Sequence, residues 1–217
     1  MNDDYTRFQT YFKDKKDLIK WFNVAKPILN SEEFKIRKLF KHHEQHSVYD
    51  HSVLVSIKSF LLAKKFNANI YECTVAGLLH DFYTRAWQYS KELELLDEKY
   101  RTKFISKEKI PFFKKHAFSH PYVAASNAIS YYPDYVNDKI IRAIETHMFP
   151  LSIFTKHKIP KGKVGWIITL SDKLVTLKDL PNLKNIPKYL GYRKGSIRFG
   201  LYLHTLHSIF SSFIDKL

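Results

Sequence analysis

The chain of 217 residues is short of four things, and each shortage excludes a class of protein. It has one cysteine, Cys73, so neither an intramolecular disulfide framework nor a cysteine-based zinc knuckle can be built. No stretch approaches about 18 uninterrupted apolar residues, and the opening MNDDYTRFQTYFKDKKDLIK lacks an apolar signal core. No membrane span or secretion signal is therefore expected, and a cytoplasmic location is. Six glycines and eight prolines leave few turns, which favours long helices over a many-stranded sheet. Acidic residues are scarce: 21 against 36 basic ones, for a formal charge of +15. That surplus comes from 29 lysines and only 7 arginines spread along the whole chain. Diffuse lysine steers anions toward a cleft without the bidentate phosphate recognition that clustered arginine supplies. The expected partner is a small anionic phosphorylated substrate, with nucleic acid less favoured. A homodimer is compatible with the sequence.

What is present points to a globular helical protein. Hydrophobic residues at 45% and aromatics at 16% can fill a core without staples, and the length suits one domain. Apolar residues recur at helical spacing. Val53, Leu54, Ile57, Phe60 and Leu61 form a stripe in 51–66, and Leu18, Trp21, Phe22, Ala25 and Leu29 form another, which Pro27 is expected to bend or shorten. Ile140, Ile141, Ile144 and His147 share one face, with Pro150 as the stop; Ile167, Ile168, Asp172 and Val175 share another. His120-Pro121 reads as a helix start, with proline at the first helical position. The charge-dense 89–115 and the Pro/Gly-bearing 179–196 read as insertion and connection, and 196–214 as an amphipathic C-terminal helix. The expectation is all-α and a single domain over 1–217.

Eleven histidines are many for this length, and their placement is informative. His51 opens a helix, His80-Asp81 ends the apolar run VAGLL, His120 adjoins a helix start, His147 closes a helix, and Asp172 sits within one. Polar groups on apolar faces must be paired or coordinated. Imidazoles and carboxylates converging from separate helices are how helical proteins build metal sites, and this donor set suits Fe, Mn, Ni, Co or Zn. Adjacent His80 and Asp81 differ by about 100° in direction on a helix, so both reach one ion only near a helix end. An aspartate there can offer its two oxygens to two ions. Asp50 and Glu145 are the nearest candidates in sequence to orient the ligating rings.

In order, HSVYDHSVLVS, AGLLHDF, HAFSHP, THMFPL and SDK resemble the HD-domain superfamily of metal-dependent phosphohydrolases, in particular a small, uncharacterised bacterial branch. The resemblance covers about 42–178, leaving N-terminal helices in 1–41 and a C-terminal helical extension in 179–217 to pack on that core. It implies a helical bundle in which His51, His80, Asp81 and Asp172 hold one divalent transition-metal ion. His120 and His147 match the family positions that hold a second ion, with Asp81 bridging. It also implies phosphoester hydrolysis, of a nucleotide or another small phosphoester. Lys173, after the ligating Asp172, and Arg85, four residues past Asp81, are candidates to bind substrate phosphate or act in catalysis. His116 is a candidate proton donor or phosphate ligand, and His43 a candidate substrate contact. Tyr49 and Trp87 are candidates to shape the pocket; His157, His204 and His207 are expected to have no catalytic role. The same six ligands also occur in mixed-valent di-iron oxygenases of this fold, and a non-catalytic nucleotide- or nucleic-acid-binding domain is the remaining alternative. The ligands alone do not separate these chemistries.

Overall fold

The computed structural model describes residues 5–42, 46–83, 85–86, 116–157 and 159–179, with only the backbone of 42, 117 and 177–179. His43, Trp87, all of 89–115 and the C-terminal 180–217 lie outside the described residues. Within them the protein is all-α. The helices are α1 (Lys15–Asn30), α2 (Glu32–Lys35), α3 (Val48–Lys65), α4 (Ile70–Leu79), α5 (His116–Tyr131), α6 (Asp138–Thr146) and α7 (Gly162–Asp179). Short 3-10 turns join some of them, and a two-residue antiparallel ladder, β1 (Lys41–His42) with β2 (His46–Ser47), leads into α3. No described helix is long and apolar enough to cross a membrane.

Local chemistry sets the helix starts. Asp14, Ser31, Asn69 and Asn137 cap α1, α2, α4 and α6 by accepting a backbone N–H of the first turn. Ser47 and Asp50 form a reciprocal capping box at the start of α3. Two proline expectations change. α1 continues through Pro27 to Asn30, because Ile28 and Leu29 beyond it are buried in the core. His120-Pro121 does not begin a helix either: α5 already runs from His116, and Pro121 lies inside it. Buried Phe118, Ala124, Ala125 and Ala128 hold the helix together on both sides of the proline.

One continuous core runs from Phe8 and Trp21 near the N-terminus through α3, α4, α5 and α6 to Ile168 in α7. α3 is the central element, packed on α4 and α7; α6 packs on α4, α5 and α7, and α1 on α4. The apolar stripe read for α3 understates its burial, since Ser52, Ser56 and Ser59 are buried as well. Small side chains there let α4 come very close. A Cβ on Gly77 would stand 2.6 Å from Ser56 Cα. Ser56 Oγ donates to Thr74 O at 2.9 Å and accepts from Trp21 Nε1 at 3.1 Å, tying α1, α3 and α4 at one point. This crossing sets how His51 on α3 and His80 at the end of α4 face each other.

Candidate metal centre

Five helices deliver six ligand-type side chains to one buried cluster. His51 is the fourth residue of α3, and His80 is the C-cap of α4 with Asp81 in the turn that follows. His120 is in the first turns of α5, His147 is the C-cap of α6, and Asp172 lies midway along α7. None is more than 6% exposed. The donor atoms form two overlapping triads: His51, His80 and Asp81, and Asp81, His120 and His147.

Around the first triad, His51 Nε2 lies 3.3 Å from His80 Nε2 and 3.2 Å from Asp172 Oδ1. Asp81 Oδ2 is 3.6 Å from His80 Nε2 and 4.0 Å from His51 Nε2. In the second triad His120 Nε2 and His147 Nε2 are 3.1 Å apart. Asp81 Oδ1 is 3.3 Å from the former and 3.6 Å from the latter. Donors about 2.1 Å from a shared ion, at angles of about 90–110°, sit roughly 3.0–3.4 Å from one another. Most of the spacings fall in or close to that range.

The tautomers support the same reading. Nδ1 of His80 is 2.8 Å from Gly77 O, Nδ1 of His120 is 2.7 Å from His116 O, and Nδ1 of His147 is 2.7 Å from Ile144 O. A carbonyl only accepts, so each ring donates from Nδ1 and, when neutral, turns a lone pair inward at Nε2. In the second triad two such lone pairs and a carboxylate oxygen converge, an arrangement that a cation makes favourable and that is repulsive without positive charge. Imidazole and carboxylate donors fit a divalent transition metal. The two triads can hold two ions, with one oxygen of Asp81 directed to each.

Protonation is set in the same direction. Burial, followed by the neighbouring His80 and His120, pushes the His147 ring down to about 3. Burial is also the main cause of the lowered pKa of His80, against the opposing pull of Asp81 and Asp172. Burial would raise the Asp81 carboxyl, but His80, His120 and His147 outweigh it and hold the group well below its ordinary value. Asp172 is held down likewise, with Lys173 and His51 outweighing burial. Ionised carboxylates among neutral rings are the state that binds a metal.

The remaining candidates divide. Lys173 stands at the cluster: its Nζ is 2.6 Å from Asp172 Oδ2 and 3.4 Å from His147 O, so it links α7 to the end of α6. His116 is beside it in space, stacked on the His120 ring at 4.7 Å and edge-on to Tyr83 at 5.0 Å. Burial and then His120 push it down to about 4, so it is neutral near pH 7. For Arg85 the helical spacing does not apply, because α4 ends at Leu79 and the described residues beyond it are not helical; Arg85 is exposed. Tyr49 is a core residue against Phe34, its Oη accepting from Arg7. Asp50 and Glu145 do not orient the ligands. Asp50 is engaged by Ser47 in the capping box, and Glu145 pairs with His157.

Backbone carbonyls orient three of the rings instead, those of His80, His120 and His147, and residue identity gives no sign of them. One indirect signal was available: a histidine just past an apolar helical run is at the C-cap, where last-turn carbonyls lack a helical donor. Sequence reading also missed Arg37 and Asn127, which donate to the carbonyls of Tyr83 and Phe82 just beyond Asp81. No protein-family model, curated protein or solved structure matches the chain.

Proposed function

We propose that the chain is a dinuclear-metal phosphohydrolase of the HD type, cleaving a nucleotide or another small phosphoester. The observation that carries this reading is the pair of triads sharing Asp81, with the ring protons of His80, His120 and His147 tied to carbonyls and their lone pairs turned inward. His51, His80, Asp81 and Asp172 would hold one divalent ion, and Asp81, His120 and His147 the other. Bound there, two such ions supply Lewis acidity toward phosphoryl oxygens and lower the pKa of water at neutral pH.

The side chains around them do the positioning. Lys173 takes Asp172 Oδ2, which leaves Oδ1 facing His51 and keeps the carboxylate ionised. His116, neutral near pH 7, enters as a hydrogen-bonding ring near the second triad rather than as a cationic phosphate ligand. A nearby cation only strengthens that preference. The general positive charge of the chain raises the local concentration of anionic substrates.

The test is elemental analysis of tag-free protein purified without added metal, followed by assay on a panel of phosphomonoesters and phosphodiesters. About two transition-metal ions per chain with phosphate release supports the proposal. Two ions with iron-dependent oxygen consumption and no hydrolysis would replace it with the oxygenase. Absence of metal even after reconstitution would leave only a binding role.

A further inference from the structure

Arg37 is among the largest fully buried side chains, at 1% exposure. Burying a guanidinium is costly unless its donors are met, and an apolar side chain of similar volume packs as well or better. Packing alone therefore does not account for it. Among the described residues, the carboxylate paired with it is that of Glu33, 3.8 Å away and one-third exposed. The guanidinium lies over the Phe82 ring at 3.9 Å and donates to the carbonyls of Glu33 and Tyr83, the latter at 3.1 Å.

Those contacts converge on the turn that carries Asp81. Tyr83 N donates to Asp81 O at 2.9 Å, so the two sides of Tyr83 are tied to Asp81 and to Arg37. Phe82, between them, stacks on Phe34, and its carbonyl accepts from Asn127 of α5 at 2.9 Å. Asp81 must aim one oxygen at each triad, and the segment just beyond it is held from the N-terminal side by Arg37. We propose that Arg37 is a positioning residue of the metal centre: by fixing the turn that presents Asp81, it sets the affinity for the second cation. This role rests on the metal-centre reading above. The second cation is the sensitive one because Asp81 is one of three donors there and one of four around the first.

The test titrates metal-free protein with Co2+, followed by visible absorption and by calorimetry, so no turnover is needed. Arg37→Met is expected to keep its first ion and weaken the second by about tenfold or more, the usual scale for residues supporting metal ligands. Arg37→Lys keeps the charge without the planar fork and is expected to fall between. It serves as the measured variant if Arg37→Met does not fold. Phe8→Leu, a core change remote from the turn, is the control for lost stability and is expected to leave both affinities unchanged. Equal second-ion affinity in wild type and the Arg37 variants, or the same loss in Phe8→Leu, overturns the positioning role and leaves the metal centre standing. A wild-type protein that binds no Co2+ overturns the metal centre and this role together.

Discussion

The two halves of the cluster are built differently. The first draws on α3, α4 and α7 around the close Gly77–Ser56 crossing; the proposed assignment gives it four donors, the triad and Asp172, with the Lys173 ammonium bonded to Asp172. The second draws its imidazoles from α5 and α6 and borrows its only carboxylate, Asp81, from the first. Donor number and charge raise affinity for a divalent ion. The first half is therefore expected to bind the tighter ion, with the second filled through Asp81.

Asp81→Asn tests this most severely. The amide keeps the shape and removes the shared charge, so metal content is expected to fall from about two ions per chain to one or fewer, with hydrolysis lost. Two retained ions by elemental analysis would show that Asp81 does not join the halves. His147→Ala comes next: about one ion should remain, because the four donors of the first half are untouched. If both ions leave together, the halves are not separable in the way the geometry implies.

Gly77→Ala acts on the first half through packing. With Ser56 Cα at 2.6 Å from the added Cβ, α3 and α4 must part, at a cost of about 1–3 kcal/mol. Denaturant unfolding of metal-free protein measures it, and a stability unchanged from wild type would contradict the close crossing.

The smallest effect is the pH response of the metal-free protein. His147 and His116 are pushed down to about 3 and about 4, and His80 is also lowered, whereas the unfolded chain takes up these protons near pH 6.5. Below that pH the unfolded state binds more protons, so stability falls on acidification. The imidazole contribution is fully present above pH 6.5 and is lost as pH falls toward 3. The depressed Asp81 and Asp172 carboxyls add to the loss below about 3.8. The melting temperature should be level from pH 8 to 7 and decline from 6.5 to 4, less steeply in His147→Ala. A profile flat to pH 4 would mean that the rings titrate alike in the folded and unfolded chain.

Much of the helical framework was legible because burial leaves a periodic trace. The stripes through Leu18, Trp21 and Leu29, and through Ile167, Ile168 and Asp172, are buried as their spacing predicts. The helix ends were less legible. Propensity argued for a bend or early end at Pro27 and a start at Pro121, while long-range burial of Ile28 on one side and of Phe118 and Ala124 on the other overrode it. At the cluster, motif order singled out the six ligand-type residues that the fold brings together. It misjudged their supports, because a carbonyl acceptor such as Gly77 O carries no residue signature. The helical spacing behind Arg85 does not apply, because α4 ends at Leu79.

The amino-acid sequence by itself determined helical class, the identity of the imidazoles and carboxylates, and the position of His80 and His147 at the ends of apolar runs. These follow from local spacing and side-chain chemistry. Only the tertiary structure decided that five helices meet at one point, that Asp81 aims an oxygen at each triad, and that a buried arginine from the N-terminal segment braces its turn. Those relations depend on contacts between residues far apart in the chain, such as the close packing of Gly77 on Ser56 that brings together the helices carrying His51 and His80.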